Sequence, residues 1–321
     1  MTYRLIFLSS CFLFVSMSCV ADTDADMTQF IQNLQQQYAL NPIYSQQVLG
    51  QAKVKKSILR AMSRQGESKP WHKYRKIFIT KSRINGGVKF WKKYANTLAK
   101  AEQIYGIPAE IIVAIIGVET AYGNITGKYR VVDALYTLAF HYPKRADFFK
   151  KELGEFLLLA REENLPPLAI NGSYAGAMGM GQFMPSSYRK YAVDFNNDGT
   201  KRLWQTIDTI GSVANYFKQH GWIQGQAVIH PITPSLDEIK MLEALDNKPE
   251  KTLYQLQQLG INIPSTLPKH YRASLISLKQ LKTTDHYLGF DNFYVITRYN
   301  HSHRYAMAVY QLAMAIKAKK K

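Results

Sequence analysis

The sequence predicts a mainly α-helical (α+β) fold with a small β-containing segment towards its C-terminal end. Apolar residues recur at helical spacing in most of the chain, and the stretches with this pattern cover residues 27–105, 109–122, 131–140, 146–163, 186–193 and 206–220. Residues 226–290 differ, because prolines and short β-like runs at 227–231 and 273–278 replace that spacing. Helical spacing returns over 292–316, after the sequence Tyr-Val-Ile-Thr at 294–297.

Local signals support the individual helices. Met27–Leu40 is amphipathic, and Val88–Tyr105 places its aromatic residues near helical spacing, which predicts helix in both ranges. A Gly-Ile-Pro sequence then breaks the chain, and Pro108 suits the first turn of a new helix, expected over Ala109–Tyr122.

The N-terminal segment has the features of an export signal. Met1–Arg4 carries one positive charge, Leu5–Val20 carries none, and Ala21 precedes an acidic run. This is the order found in secretory signals, and the apolar run is shorter than the roughly 20 residues of a membrane span. We therefore expect residues 1–21 to be a signal peptide and the mature protein to be periplasmic. A retained N-terminal anchor helix is the alternative.

Both cysteines, Cys11 and Cys19, lie in this segment, so cleavage after Ala21 leaves a mature chain without disulfides. Cys19 raises a second hypothesis, an outer-membrane lipoprotein anchored through that residue. The preceding Ser-Met-Ser lacks the upstream leucine of a good lipoprotein signal.

The formal net charge of +18 favours polyanionic partners. Nucleic acid is not expected, because an exported protein rarely meets it. Cell-wall peptides with free carboxylates and anionic lipid surfaces suit an exported chain better, and solvated surface lysines are the alternative.

The segment 111–120 is apolar on every face, which predicts a buried core helix. Glu119 is its only carboxylate beyond the first turn of that helix. Burial and the negative end of the helix dipole both raise the pKa of such a carboxyl, so it stays protonated near neutral pH. Cleavage of a glycosidic bond requires such a proton donor. The structural alternative is an ion pair with Arg130 or Arg145.

Two further segments suit a carbohydrate groove. Residues 171–187 are rich in glycine, which allows close backbone approach to a ligand, and they add apolar walls such as Met178 with the hydrogen-bonding groups of Ser173 and Gln182. No Gly-Lys-Ser/Thr ends the segment, so it is not a phosphate loop. Residues 292–305 mix aromatic, amide and cationic side chains, which is typical of sugar subsites. A structural turn is the alternative for the first segment.

An aspartate-rich loop resembles the start of a calcium-binding EF-hand. Asp194, Asn196 and Asp198 occupy positions 1, 3 and 5, with glycine at position 6. Position 12 is Gln205 instead of glutamate, and Asp208 lies three residues beyond it, placed to close a longer loop. We expect a structural Ca²⁺ site, with a metal-free turn as the alternative.

Together these motifs resemble the lytic murein transglycosylase B family. The matching sequences are Gly-Val-Glu-Thr at 117–120, Gly-Ala-Met-Gly at 176–179, Gln-Phe-Met-Pro-Ser-Ser at 182–187, the aspartate-rich loop, and Tyr-Asn at 299–300. Their order and separations match the family over nearly all of the mature chain. The resemblance implies a lysozyme-like catalytic core over 108–225, a flanking helical domain over 22–107 completed by 291–321, and a small β-containing domain over 226–290.

The resemblance also implies roles for single residues, with Glu119 as the catalytic glutamate. The expected substrate-binding residues are Tyr74, Arg145, Ser173, Met178, Gln182, Tyr299, Asn300 and Tyr305. The expected calcium ligands are Asp194, Asn196, Asp198, Thr200 and Asp208.

The expected activity is that of a lytic transglycosylase, a carbon–oxygen lyase that cleaves the β-1,4 bond between N-acetylmuramic acid and N-acetylglucosamine. Attack by the muramyl O6 would give 1,6-anhydromuramic ends. A lone acid suits this chemistry, since ordinary glycosidases need two carboxylates and only Glu110, at the far end of the helix, and Asp133 come near. A hydrolytic muramidase and a non-catalytic cell-wall-binding protein are the alternatives. Besides the glycan, other cell-wall enzymes are candidate partners.

Overall fold

The computed structural model describes residues 18–63, 69–246 and 248–321. The predicted signal peptide, residues 1–21, lies almost entirely outside these ranges, and so does Cys11. Signal cleavage and lipidation therefore stay predictions.

Helices make up most of the described chain, as the periodicity predicts. In chain order they are α1 (Ser18–Tyr38), α2 (Pro42–Leu49), α3 (Lys56–Ser63), α4 (Trp71–Phe78), α5 (Lys81–Lys93), α6 (Ala95–Tyr105), α7 (Ala109–Thr120), α8 (Val131–His141), α9 (Ala146–Glu162), α10 (Pro185–Tyr191), α11 (Thr206–Gln219), α12 (Leu236–Glu243), α13 (Leu253–Gln258), α14 (Asp291–Tyr299) and α15 (His303–Lys320). A 3₁₀ helix, Pro143–Arg145, joins α8 to α9.

In the described ranges, two small antiparallel sheets accompany the helices. The first pairs β1 (Tyr129–Arg130) with β2 (Asn171–Gly172). The second has the order β3-β5-β4, with strands β3 (Ile229–Ile232), β4 (Ala273–Lys279) and β5 (Thr284–Phe290). Its register places Ala273 opposite Phe290 and Ile229 opposite Gly289. The β-like runs expected in residues 226–290 correspond to β3 and β4.

Helix α7 lies at the centre of the main hydrophobic core. Every residue in it is buried except Glu119, which is partly exposed. It packs against α5, α6, α11 and α15, and this explains why its sequence is apolar on all faces. No single helix in the described part of the chain is long and apolar enough to cross a membrane. Helices α6 and α7 meet that test only as a pair, and a bend of 114° separates them.

A second, smaller hydrophobic cluster lies around the three-stranded sheet. Leu242 of α12 and Leu253 and Leu256 of α13 pack with Leu275 of β4. Ile276, the next residue in β4, points to the other face and joins the main core. Because both faces of β4 are covered, its sequence does not alternate between apolar and polar residues.

Three element boundaries differ from the sequence expectation. Residues 88–105 form two helices, because Tyr94 leaves helical geometry at φ −113° and ψ 29°. Residues 294–297 lie inside α14 instead of preceding the last helical region. Helix α7 ends at Thr120, two residues before the predicted end. The next two residues explain this last difference, and they position the candidate acid.

Candidate active site

The end of α7 is shaped by two residues in the left-handed region, Ala121 at φ 51° and Tyr122 at φ 64°. Their backbone N–H groups donate to the carbonyls of Gly117 and Ile116 at 3.1 and 3.2 Å, and the first of these is the 5→1 bond of an αL cap. A left-handed alanine is uncommon, since its Cβ is crowded there. The chain therefore turns sharply just after Glu119 and Thr120.

Side chains then fix this turn in place. The Thr120 hydroxyl donates to the carbonyl of Met180 at 2.9 Å and accepts from the N–H of Gly123 at 3.0 Å. Arg83 donates to the carbonyl of Gly117, near the negative end of the helix dipole. The Tyr122 hydroxyl donates to the carbonyl of Arg83 at 2.6 Å. These contacts hold the last turn of α7 against α5 and the glycine-rich segment.

Glu119 lies in a weakly solvated environment that favours its protonated form. Burial raises its pKa to about 7, and a short hydrogen bond donated by the Tyr305 hydroxyl partly offsets that rise. The ion pairs considered from the sequence do not form. Arg130 pairs with Asp133 at 2.6 Å, and the Arg145 guanidinium lies over the ring of Phe148, 4.3 Å from its centroid.

Three tyrosines from different elements surround this carboxyl. Burial and then the nearby Glu119 raise the pKa of both Tyr299 and Tyr305. The pKa of Tyr74 is also raised by burial, with a smaller contribution from Glu119. The Tyr299 hydroxyl donates to the carbonyl of Gly181 at 2.6 Å, so α14 is fixed against the glycine-rich segment. Helices α4, α7, α14 and α15 thus meet at one site.

The glycine-rich segment folds as a tight turn along this site. Its backbone comes so close to Gly127, at φ 104°, that an added Cβ there would lie 2.0 Å from the carbonyl of Gly172. The Ser173 hydroxyl accepts backbone N–H groups of the turn at 3.0 and 3.2 Å. The Gln182 amide donates to the carbonyls of Thr126 and Gly179 at 3.0 and 2.9 Å. Glycine is needed at 127 because no other residue fits that approach.

Two of the expected substrate-binding residues, Met178 and Arg145, make no described contact with Glu119. Met178 is fully buried at 0 % exposure, so its side chain belongs to the core and is not a groove wall. The reason is its backbone pairing with Gly172 and Phe183, which turns the side chain inward. Arg145 is exposed on the 3₁₀ helix and stacks on Phe148, with no described contact to Glu119 or the three tyrosines. Asn300 is exposed and follows Tyr299 at the end of α14.

Sequence reasoning missed Tyr216. Its ring lies 4.9 Å from that of Tyr299, and its hydroxyl donates to the carbonyl of Arg298 at 2.6 Å. It therefore supports the tyrosine beside Glu119. A tyrosine on the apolar stripe of α11 was the available signal, because a buried tyrosine hydroxyl needs a polar partner.

Other carboxylates near α7 are already engaged. Glu110 accepts a hydrogen bond from Lys317 at 2.6 Å, at the opposite end of the helix. Asp133 is bound by Arg130 and by the backbone of Lys53. Among the described residues, no second carboxyl perturbs the pKa of Glu119.

The aspartate-rich loop is a compact, exposed turn closed by its own side chains. Asp194 accepts from the N–H groups of Asp198 and Gly199 at 3.1 and 2.8 Å. Asn196 donates to Asp198 at 2.8 Å, and Asp198 accepts from the hydroxyl of Thr200 at 2.7 Å. Within the described ranges no three His, Cys, Asp or Glu side chains are grouped as a metal site. The oxygen-rich donor set nevertheless fits a hard cation such as Ca²⁺.

Asp208 connects the two ends of this loop. It is fully buried, and its carboxylate oxygens accept the N–H groups of Phe195 at 3.0 Å and Arg202 at 2.8 Å. Each oxygen keeps a second lone pair for a cation.

Comparisons with known proteins identify the family of the chain. The model of the transglycosylase SLT domain family matches residues 22–314. The membrane-bound lytic murein transglycosylase B of Escherichia coli (strain K12) is 46% identical over 300 residues, which are 90% of this chain and 81% of the relative. The lytic transglycosylase SltB1 of Pseudomonas aeruginosa superposes with a TM-score of 0.87 at 47% identity, covering 92% of this chain and 98% of that one. Slt35 of Escherichia coli, solved in complex with calcium, has a TM-score of 0.81 at 46% identity, covering 92% and 93%.

A helical fold, a glutamate with a raised pKa at the end of a buried helix, and these matches over nearly the whole described chain lead to one conclusion. The chain belongs to the transglycosylase SLT domain family.

Proposed function

We propose that this chain is a lytic transglycosylase that cleaves peptidoglycan between N-acetylmuramic acid and N-acetylglucosamine. One observation carries the proposal: Glu119, with a pKa of about 7, lies among tyrosines without a second described carboxyl beside it. A group with that pKa can both donate and accept a proton near neutral pH.

In the proposed reaction Glu119 first donates its proton to the glycosidic oxygen, and the bond from that oxygen to the muramyl C1 breaks. The resulting carboxylate then removes the proton from the muramyl O6, which forms a new bond to C1. The product is a 1,6-anhydro end, and no water is consumed. Attack from within the same sugar is favoured entropically, because the nucleophile is already tethered.

The proposed glycan contacts are Tyr74, Ser173, Gln182, Tyr299, Asn300 and Tyr305, and we add Tyr216 as a support for Tyr299. The aromatic rings offer surfaces for the apolar faces of sugars. We keep Arg145 only as a contact to a more distant part of the glycan.

We also propose that the aspartate-rich loop holds a structural Ca²⁺ ion through Asp194, Asn196, Asp198, Thr200 and Asp208. Support comes from the oxygen donors of the loop and from the relative Slt35, which was solved in complex with calcium. We further propose a lysozyme-like core over 108–225 with the flanking domains expected from the sequence. The similarity to Slt35 supports this division.

We infer that the proposed activity lies in the periplasm, with support from the predicted signal and from the relative's name, membrane-bound lytic murein transglycosylase B. Anchoring through a lipid on Cys19 stays a prediction, as do any protein partners.

The test is digestion of purified sacculi with product analysis by mass spectrometry. We expect products with 1,6-anhydromuramic ends, each lighter by one water than hydrolytic products. Glu119→Gln should lower the rate about 10²–10⁴-fold, because the amide cannot transfer a proton. Glu110→Gln, in the same helix, is the matched control and should retain activity.

Mainly free reducing ends would show a muramidase. Full activity in Glu119→Gln would remove the assignment of the acid, and a wild-type protein that binds sacculi without releasing products would be a binding protein.

A further inference from the structure

A cavity of about 840 Å³ adjoins the candidate active site. It is lined by residues 70–72 before and in α4, residues 277–281 at the end of β4, and residues 301–304 before Tyr305. The Arg304 guanidinium lies over the ring of Tyr74, 5.7 Å from its centroid, and so connects the cavity to the tyrosines around Glu119.

A smaller cavity of about 320 Å³ continues from the first. It is lined by His72, Arg75, Lys76, Ile79 and Gln280, and it shares His72 and Gln280 with the larger one. The two form one continuous surface between α4 and the β4–β5 hairpin, which we call the side cavity.

The side cavity is cationic. Arg75, Lys76, Lys279 and Arg304 line it, and none of the described lining residues is an aspartate or glutamate. Asp285 of the same hairpin does not line the cavity, and it accepts a hydrogen bond from Gln280 at 2.5 Å.

Two histidines of the cavity, His301 and His303, contribute little of this charge at neutral pH. Burial lowers the pKa of both His301 and His303, and the neighbouring Arg298 lowers that of His301 further. The positive charge near neutral pH therefore comes from the arginine and lysine side chains.

Two buried polar atoms of lining residues lack a partner among the described residues. Trp71 is 1% exposed, and neither its Nε1 nor the Nδ1 of His72 makes a hydrogen bond. An indole N–H can only donate, so an acceptor from a ligand would satisfy it. Buried polar groups in native proteins are normally paired, and unpaired ones point to a missing partner.

We propose that the side cavity binds free carboxylates of the peptide stem carried by muramic acid. The inference rests on the proposed function. The sugars that flank the scissile bond are uncharged apart from this stem. The glycan alone therefore offers no anionic group that a cationic surface could bind. The stem is attached to the same muramic acid whose bond Glu119 would cleave, which fits a cavity one residue from Tyr305. The chain then selects peptide-bearing strands over bare glycan.

The first experiment compares kcat/KM on glycan strands with intact peptides and on strands stripped of peptides. We expect wild type to prefer peptide-bearing strands, and Lys279→Glu to lower that preference about tenfold. Lys282→Glu is the matched control, because this lysine is exposed in the same hairpin but does not line the cavity. Its preference should equal that of wild type.

The outcomes separate the two proposals. No cleavage of either substrate by wild type would refute the proposed function. Cleavage of both with equal kcat/KM, or an equal effect of Lys279→Glu and Lys282→Glu, would refute only the side cavity as a peptide site.

A binding measurement provides an independent test. A free acidic stem tetrapeptide is titrated into Glu119→Gln while tryptophan fluorescence is followed. We expect a saturable change that disappears in Trp71→Phe and with a tetrapeptide whose carboxylates are amidated. An equal response to the amidated peptide would overturn the role of charge.

Discussion

At the level of single residues, burial and the hydrogen bond from Tyr305 together determine the pKa of Glu119. The Tyr305 hydroxyl donates to the carboxyl, and this contact favours the ionised form. Burial acts in the opposite direction and is stronger, so the pKa rises to about 7. The proposed acid is therefore close to half protonated under neutral conditions.

Tyr305→Phe should shift the alkaline limb of the pH–rate profile to higher pH. Glu119 must be protonated to act as an acid, so activity falls as the pH rises through its pKa. Loss of the hydroxyl removes the interaction that lowers this pKa, and the fall then occurs later. The control is Tyr310→Phe in the same helix, which should leave the limb in place. A limb that stays or moves to lower pH in Tyr305→Phe would contradict this account.

The residue level also shows how far sequence reasoning reaches. Glu119 could be found directly, because one carboxylate in an apolar helix is a local signal. Tyr305 is 186 residues away, and no spacing rule connects the two, so only the family resemblance suggested it. Met178 was assigned wrongly because a glycine-rich turn has no period that separates inward from outward side chains. Tyr216 was missed because a helical stripe does not reveal which of its members meets a functional tyrosine.

At the level of elements, α7 ends in an unusual way. Ala121 lies in the left-handed region that favours glycine, directly after the last turn that carries Glu119. Its position is held by the contacts of Thr120 and Tyr122, so the surrounding structure maintains a conformation that the local sequence disfavours.

Ala121→Gly should therefore stabilise the fold by about 1 kcal/mol, since glycine removes the left-handed penalty. Ala114→Gly, in the interior of the same helix, should destabilise it by a similar amount or more. Urea denaturation of the two variants and wild type measures both effects. A loss of stability in Ala121→Gly would show that the alanine methyl contributes packing that outweighs the strain.

The aspartate-rich loop is the second element with a testable role. If it holds Ca²⁺ in the native state alone, chelation should lower the melting temperature, because binding stabilises by mass action. Asp198→Asn should weaken this response, while Asp246→Asn, an exposed acid outside the loop, should not. An identical melting temperature with and without chelator, in protein free of bound metal, would exclude the site.

At the level of the whole molecule, the charge of +18 should make wall lysis depend on salt. Long-range attraction between a cationic protein and an anionic polymer weakens as the Debye length shortens, to about 8 Å at physiological ionic strength. We expect the rate on intact sacculi to fall as salt rises. The rate on short, peptide-free glycan should change less, and equal salt dependence of the two would argue against electrostatic attraction to the wall.

The two hydrophobic clusters show which parts of the whole fold could be predicted. The helical majority and the β-containing segment follow from hydrophobic spacing, which is encoded over short windows. The split of β4 between both clusters could not be predicted, because a strand covered on each side loses the alternation that marks its faces.

The packing of α15 against α7 has a consequence for biosynthesis. The helix that donates a hydrogen bond to Glu119 is the last one in the described chain, so the earlier segments alone cannot complete the site. A nascent chain, or one truncated before α15, has Glu119 but not Tyr305, whose hydrogen bond lowers the pKa of that carboxyl. Assembly of the site thus waits until α15 has been synthesised, and a lytic enzyme organised in this way becomes competent only after that helix has packed against α7.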